Sequence, residues 1–115
     1  METKSRQNKS KVRLFYKKTV EMPFAVLEGA DLHNLNLVGA NFCKANLSNV
    51  NFEGSELHHA NFADADLNGA NLKGADIVFA NLKNAKMKGC KIDREWDYKL
   101  SDEQKNQVEW LEFRE

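Results

Sequence analysis

The chain has 115 residues, with 17 lysine and arginine residues against 17 aspartate and glutamate residues, and only two cysteines. The length favours one domain, and the zero net charge excludes the strongly basic nucleic-acid binders and the strongly acidic disordered tails. Two cysteines are too few for a disulfide framework or a zinc pattern. No apolar run of about 18 residues is present, and the N-terminus does not resemble a signal peptide. We therefore expect a cytoplasmic protein without a membrane span.

The first segment, residues 1–23, is a basic arm. It carries seven basic and two acidic side chains, a net charge of +5. Basic residues alternate with Phe15 and Tyr16, a composition that suits contacts with phosphates and stacking on bases. A solvated tail and a strand that covers the start of the next domain are the alternatives. The candidate contact residues of the arm are Lys9, Lys11, Arg13, Lys17 and Lys18.

The middle segment, residues 24–94, repeats with a period of five. A large apolar residue returns at every fifth position, and a small or apolar residue precedes it by two places. This period fits neither a helix nor a straight strand. An extended triplet followed by a corner points both apolar residues inward, and all six glycines fall at the corner, where unusual dihedrals are needed. The fourteen predicted core residues are Leu27, Leu32, Leu37, Phe42, Leu47, Phe52, Leu57, Phe62, Leu67, Leu72, Ile77, Leu82, Met87 and Ile92.

The repeated unit resembles the pentapeptide-repeat proteins. The stretches "GADL", "GANF", "KANL", "HANF", "DADL" and "GANL" fit their A(D/N)LXX pattern. The resemblance implies an all-β solenoid, a right-handed quadrilateral β-helix with one unit on each side and four units in each coil. Fourteen units then make about three and a half coils, and residues twenty positions apart stack on one another.

The last segment, residues 95–115, is acidic and aromatic. Ser101 and Gln104 have the spacing of a capping box, and acidic residues follow Ser101, as they do at the start of helices. This pattern predicts a short α-helix over residues 102–113 that covers the last coil. The alternative is that the segment forms a homodimer or a partner interface.

The sequence lacks the groupings that are typical of catalysis or of cofactor binding. His58 and His59 are adjacent at a corner, where ligands for a metal rarely converge. Cys90 is expected in the core and Cys43 on the surface, so a disulfide between them is not expected. A shaft that is filled by its own side chains leaves no pocket for a substrate. We therefore expect no enzyme activity, no metal and no cofactor.

One side of the predicted shaft carries apolar side chains that face outward. On this side, the two residues that follow each large position face outward and form a candidate partner surface, unless a terminal segment folds over it. Charge also changes along the shaft, because residues 24–66 carry six acids and one lysine, whereas residues 67–93 carry five lysines and two acids. The candidate surface consists of Val38, His58, His59, Val78 and Phe79.

Three functions are compatible with these features. The leading hypothesis is a small, rigid module that binds a protein partner. The family resemblance implies a second, a DNA mimic that binds a topoisomerase such as gyrase, although a short shaft with a basic half copies phosphate spacing poorly. The third is binding of nucleic acid or an anionic surface by the basic arm.

Overall fold

The structure is a computed structural model that describes residues 20–112. Parallel backbone bridges join residues twenty positions apart, for example Asn41 to Asn61 and Asn61 to Asn81. The chain therefore winds in coils of four five-residue units, one unit on each side, as the family resemblance implies. The successive coils are residues 20–39, 40–59, 60–79 and the shorter 80–93.

Each side of the coil stack is a hydrogen-bonded ladder. The Phe42 N–H donates to the Asn61 carbonyl oxygen (2.8 Å), and the Asn61 N–H donates to the Ala40 carbonyl oxygen (2.8 Å). At the corner, the Ala45 N–H donates to the Phe42 carbonyl oxygen (3.0 Å) and closes a turn. These bonds pair the backbone polar groups of the triplets, which is the condition for burying their apolar side chains.

The asparagine or aspartate between the two apolar positions stabilises the corner that follows it. Asn61 Oδ1 accepts a hydrogen bond from the Ala63 N–H (2.9 Å), and Asp66 Oδ1 accepts one from the Asn68 N–H (2.9 Å). This side-chain turn provides a partner for an N–H at the corner. The repeated Asn or Asp of the sequence therefore has a structural role, although its side chain lies outside the core.

The core is a continuous stack of apolar side chains inside the coils. Twelve of the fourteen predicted core residues are buried, from Leu37 to Ile92. Leu27 and Leu32 are only half-buried, because within residues 20–112 the first coil has a neighbouring coil on one side only. For these two residues the expectation is corrected: they pack against the core but are not enclosed by it.

A buried serine completes one corner of the first coil. The Ser55 hydroxyl donates to the Leu32 carbonyl oxygen (2.6 Å) and accepts a hydrogen bond from the Leu35 N–H (3.0 Å). At the other corners the two equivalent backbone groups bond directly to each other. Leu35 is a large residue where most units carry a small one, and the serine provides its N–H with a partner.

Within the described residues, the repeat includes one unit before the first unit that was predicted from the sequence. The Ala25 N–H donates to the Met22 carbonyl oxygen (3.2 Å), so residues 20–24 already form a side and a corner. Pro23 is the second residue of this turn, where its fixed φ is favourable and no N–H is needed. Phe24 is the third residue, with a positive φ of 64°. The proline therefore belongs to the coil and does not precede it.

The C-terminal segment closes the last coil with three short elements that follow the final strand of that coil. Strand β1 (Lys91–Asp93) is followed by a 3-10 helix (Arg94–Lys99), helix α1 (Asp102–Gln107) and strand β2 (Glu109–Leu111). Strand β2 pairs in parallel with β1.

The expectation of a helix over 102–113 is corrected, because α1 ends at Gln107. After Gln107 the chain pairs with the open edge of the last coil. The Glu109 N–H donates to the Cys90 carbonyl oxygen (2.7 Å), and the Gly89 N–H donates to the Gln107 carbonyl oxygen (2.8 Å). An unpaired strand edge is unfavourable, and β2 pairs it.

Gln104 connects α1 to the coil that it covers. Its side chain is buried, and Nε2 donates to the carbonyl oxygens of Leu82 (2.8 Å) and Ala85 (3.0 Å). The capping box is present, since the Gln104 N–H donates to Ser101 Oγ (3.1 Å) and the Ser101 N–H donates to Gln104 Oε1 (2.9 Å). One side chain thus caps both the start of α1 and the end of the shaft.

Candidate functional site

One side of the shaft carries the residues that the sequence analysis predicts as a partner surface. It consists of units 35–39, 55–59 and 75–79, whose backbones are hydrogen-bonded in this order. The first outward residue after each large position forms one column, and the second forms another. The resulting surface, here the Phe79 patch, consists of Val38, His58, His59, Val78 and Phe79.

The most exposed apolar side chains of the Phe79 patch lie in its outer coils. Phe79 is 71% exposed and Val38 is 39% exposed. The His59 ring stacks on the Phe79 ring, with a centroid distance of 5.0 Å and an interplanar angle of 24°. Val78 and His58 are half-buried. The structure thus brings the five residues together across three coils, over about 10 Å of the shaft axis.

Phe79 and His59 occupy corners with a left-handed backbone. Their φ angles are 61° and 62°, a region that glycine or asparagine adopts more readily. Such a conformation costs about 1–3 kcal/mol for other residues, and the same corner position has a positive φ elsewhere in the shaft, for example at Lys44 and Asp64. The exposed phenylalanine is therefore at a position where the backbone alone favours a different residue.

His58 and Asp76 join the second coil to the third beside this patch. His58 Nε2 and Asp76 Oδ2 are 2.6 Å apart, and Asp76 Oδ1 accepts a hydrogen bond from the Val78 N–H (3.1 Å). Partial burial opposes ionisation of Asp76, but the hydrogen bonds from Val78 and His58 and the charge of His58 outweigh it, so the pKa of Asp76 is lowered. The ionised aspartate is the form that the folded protein stabilises.

We expect the titration of Asp76 to depend on His58. Because its pKa is lower in the folded protein than the ordinary 3.8, ionised Asp76 stabilises the fold above that pH, and this contribution is lost as the pH falls through the folded-state pKa. Carboxyl-carbon NMR titration should give a midpoint below 3.8 in the wild type and a higher midpoint in His58→Ala. The control is His33→Ala, which removes a histidine that contacts Asp31. An unchanged midpoint in His58→Ala contradicts the coupling.

The other candidate chemical groups lie apart from the Phe79 patch. Burial raises the pKa of the Cys90 thiol to about 12, so this thiol remains protonated near neutral pH, and Cys43 is half-buried. Within residues 20–112, no three His, Cys, Asp or Glu residues are grouped as metal ligands, and no helix is long and apolar enough to cross a membrane. The residues outside this range include the candidate arm residues Lys9, Lys11, Arg13, Lys17 and Lys18.

A second exposed apolar pair lies in the first coil and was not predicted from the sequence. Phe24 is 68% exposed and Val26 is 75% exposed. A signal was present, because Met22 lies five residues before Leu27 and extends the repeat, and Val26 stands where most units carry Asn or Asp. Lys44 lies over the Phe24 ring, with its Nζ 5.6 Å from the ring centroid.

Comparison with solved structures gives several pentapeptide repeat proteins. A pentapeptide repeat protein from the thylakoid lumen of Arabidopsis thaliana is 24% identical, with a TM-score of 0.63; the match covers 79% of this chain and 55% of that one. HetL, a pentapeptide repeat protein involved in heterocyst differentiation regulation from the cyanobacterium Nostoc, is 32% identical over 61% of this chain and 39% of its own, with a TM-score of 0.38. Another Nostoc pentapeptide repeat protein is 26% identical over 89% and 93% of the two chains, with a TM-score of 0.39.

The chain thus spans about half the length of the Arabidopsis protein that it matches. No curated protein sequence is significantly similar to it. The family model described as pentapeptide repeats matches residues 25–62 and 55–93. Together with the coil geometry, this match confirms the right-handed quadrilateral β-helix, and the chain belongs to the pentapeptide-repeat family.

Proposed function

We propose that the protein is a non-enzymatic interaction module that presents the Phe79 patch to a protein partner. The observation that carries this proposal is the exposed Phe79 ring, stacked on His59 at a left-handed corner of the shaft. The backbone beneath is hydrogen-bonded to the neighbouring coil, so the ring is presented by a rigid surface. Binding to such a preorganised surface requires little ordering of the chain.

The partner that fits this patch is a protein with an apolar pocket for an aromatic ring. Large aromatic side chains at the centre of an interface commonly provide most of its binding energy, and polar groups around them exclude water. The His58–Asp76 pair and the His59 ring supply polar groups next to Phe79. A partner with hydrogen-bonding groups around its pocket, donors as well as acceptors, is therefore favoured.

Phe79→Asn is expected to remove partner binding without disturbing the fold. Asparagine already occupies the equivalent corner position, with positive φ, at Asn34, Asn49 and Asn84, so the thermal unfolding temperature should stay the same or rise. Partners captured by the wild-type protein are identified by mass spectrometry and then titrated individually. We expect binding to weaken about tenfold or more, as is usual for an aromatic hot spot.

Phe24→Asn is the matched control, because it replaces another exposed phenylalanine at a left-handed corner. A partner that is lost from Phe79→Asn and retained by Phe24→Asn supports the proposal. A partner that binds both variants like the wild type contradicts it. If the partner is a second copy of this chain, sedimentation analysis will show a dimer that Phe79→Asn dissociates, and the proposal of a different protein partner is then wrong.

The two alternative functions remain predictions. The gyrase-binding hypothesis requires an acidic rod, whereas the last coil carries Lys83, Lys86 and Lys88 on its surface. The arm that binds nucleic acid or an anionic surface in the third hypothesis lies outside residues 20–112. We further propose that the protein acts in the cytoplasm, where a reducing environment keeps thiols such as Cys43 and Cys90 free.

A further inference from the structure

A second surface of the shaft has a different chemistry. An open groove of about 680 Å³ lies where the last coil meets α1 and the chain just before it. Its charged lining consists of four lysines and one glutamate, which leaves a net charge of +3. We name this surface the lysine groove, and its charged residues are Lys83, Lys86, Lys88, Lys99 and Glu103.

None of the four lysines forms an ion pair within the described part of the chain. Lys99 is partly buried, and burial lowers its pKa. Four ammonium groups on one groove repel one another, and the repulsion is greatest where solvent is excluded. The groove therefore holds positive charge that the folded chain does not neutralise.

The coil structure does not require a lysine at position 86. At the position of Lys86, the coils below carry Asn46 and Asp66, whose Oδ1 atoms accept hydrogen bonds from the N–H groups of Ser48 and Asn68. A lysine has no oxygen with which to form this turn. The fold compensates in another way, because the Lys88 N–H donates to Asn68 Oδ1 (2.8 Å).

From this groove we infer a second binding site, for an acidic polypeptide segment, that is separate from the Phe79 patch. The complementary charge is the carboxylate, which an ammonium group on a flexible stem reaches in many geometries. Amide side chains of Asn68, Asn81 and Asn84 also line the groove and can donate to and accept from a peptide backbone. The site does not depend on the function proposed for the Phe79 patch.

A nucleic acid fits the lysine groove less well than an acidic peptide. The lining contains no aromatic side chain on which a base could stack. One coil below Asn84 and Lys86 lie Asp64 and Asp66, so a longer polyanion that follows the shaft meets negative charge. A short acidic segment can occupy the positive groove without this repulsion.

The test uses the full chain and a fluorescein-labelled octapeptide in which glutamate and glycine alternate. Fluorescence anisotropy should show saturable binding that weakens as salt rises from about 0.05 M to about 0.3 M. The same peptide with glutamine in place of glutamate should not bind. The double variant Lys83→Gln/Lys86→Gln is expected to bind the acidic peptide about tenfold more weakly.

The matched control is Lys73→Gln/Lys105→Gln, which removes the same charge from exposed lysines outside the groove. We expect less than about a threefold loss there, since only long-range attraction changes. Phe79→Asn should bind the peptide like the wild type, and this result separates the two sites. Thermal unfolding of each variant checks that the fold is retained.

Four results of the peptide-binding assay would overturn the inference. They are no saturable binding of the acidic peptide to the wild type, an equal loss in both double variants, a loss in Phe79→Asn, and an eight-nucleotide single strand that binds more tightly than the peptide and displaces it. A dimer that dissociates in Lys83→Gln/Lys86→Gln also overturns it, because the occupant of the groove is then a second copy of the chain.

Discussion

Replacing Phe62 with alanine is expected to lower the free energy of unfolding by about 3–5 kcal/mol. The ring is fully buried, 5.5 Å from the Phe42 ring in a stacked arrangement and 5.8 Å from the Phe52 ring edge to face. Hydrogen-bonded ladders on all four sides fix the width of the coil, so the walls have little freedom to collapse into the cavity. We therefore expect the upper part of this range, measured by urea denaturation with an unchanged m-value.

Phe79→Ala is the control for this prediction, because it removes the same ring from the outside of the same coil stack. That ring is 71% exposed, and we expect a change in stability of about 0.5 kcal/mol or less. Phe62→Leu should be milder than Phe62→Ala, since Leu82 already occupies the next position of the same column. Similar losses in Phe62→Ala and Phe79→Ala are incompatible with the core described above.

Replacing Gln104 with leucine is expected to lower the free energy of unfolding by about 2–3 kcal/mol. The change removes the donor to the Ala85 carbonyl oxygen and one of two donors to the Leu82 carbonyl oxygen. It also removes half of the capping box, the bond that Gln104 Oε1 accepts from the Ser101 N–H. Hydrogen exchange should show the loss of protection chiefly in the last coil, because repeat structures open from their ends.

Gln107→Leu is the matched control, since the Gln107 side chain is exposed on the same helix. Gln104→Glu adds a test of mechanism. A carboxyl group at this position can donate to a carbonyl oxygen only when it is protonated. The Ser101 N–H favours the carboxylate, but burial and two carbonyl oxygens oppose it, so we expect folding to raise its pKa. Its stabilising contribution is then present at low pH and lost as the pH rises through the folded-state pKa. A loss that is independent of pH contradicts a donor role for Gln104.

The sequence predicts the coils well because one physical constraint repeats along the chain. Only an extended triplet followed by a corner buries residues such as Phe42, Leu47 and Phe52 together at a spacing of five. The same regularity hides the exceptions. Pro23 suggests a boundary when it is read alone, but it fits the second position of the turn, and Val26 stands outward where the consensus predicts a polar residue.

The C-terminal end was predicted less accurately because its structure depends on distant partners. The capping box at Ser101 is local and was predicted correctly, whereas the end of α1 at Gln107 was not. The chain leaves the helix because the edge of β1, eighteen positions earlier, offers hydrogen bonds to Glu109 and its neighbours. The sequence does predict a helix over the last coil, but no local pattern places Lys99 beside the lysines of that coil, and the lysine groove depends on that placement.

Because each coil takes twenty residues, the number of a residue determines its place on the surface of the shaft. Residues whose numbers differ by twenty lie on the same side of the shaft, one coil apart in height. Val38, His58 and Val78 therefore form one line along the shaft axis. Inserting a single unit after residue 59 turns everything beyond it by a quarter revolution and carries Phe79 away from His59. Inserting a whole coil leaves both on the same side but separates them in height. An insertion that the core accepts can therefore still separate residues that form a surface together, and this limits how the length of such shafts can vary.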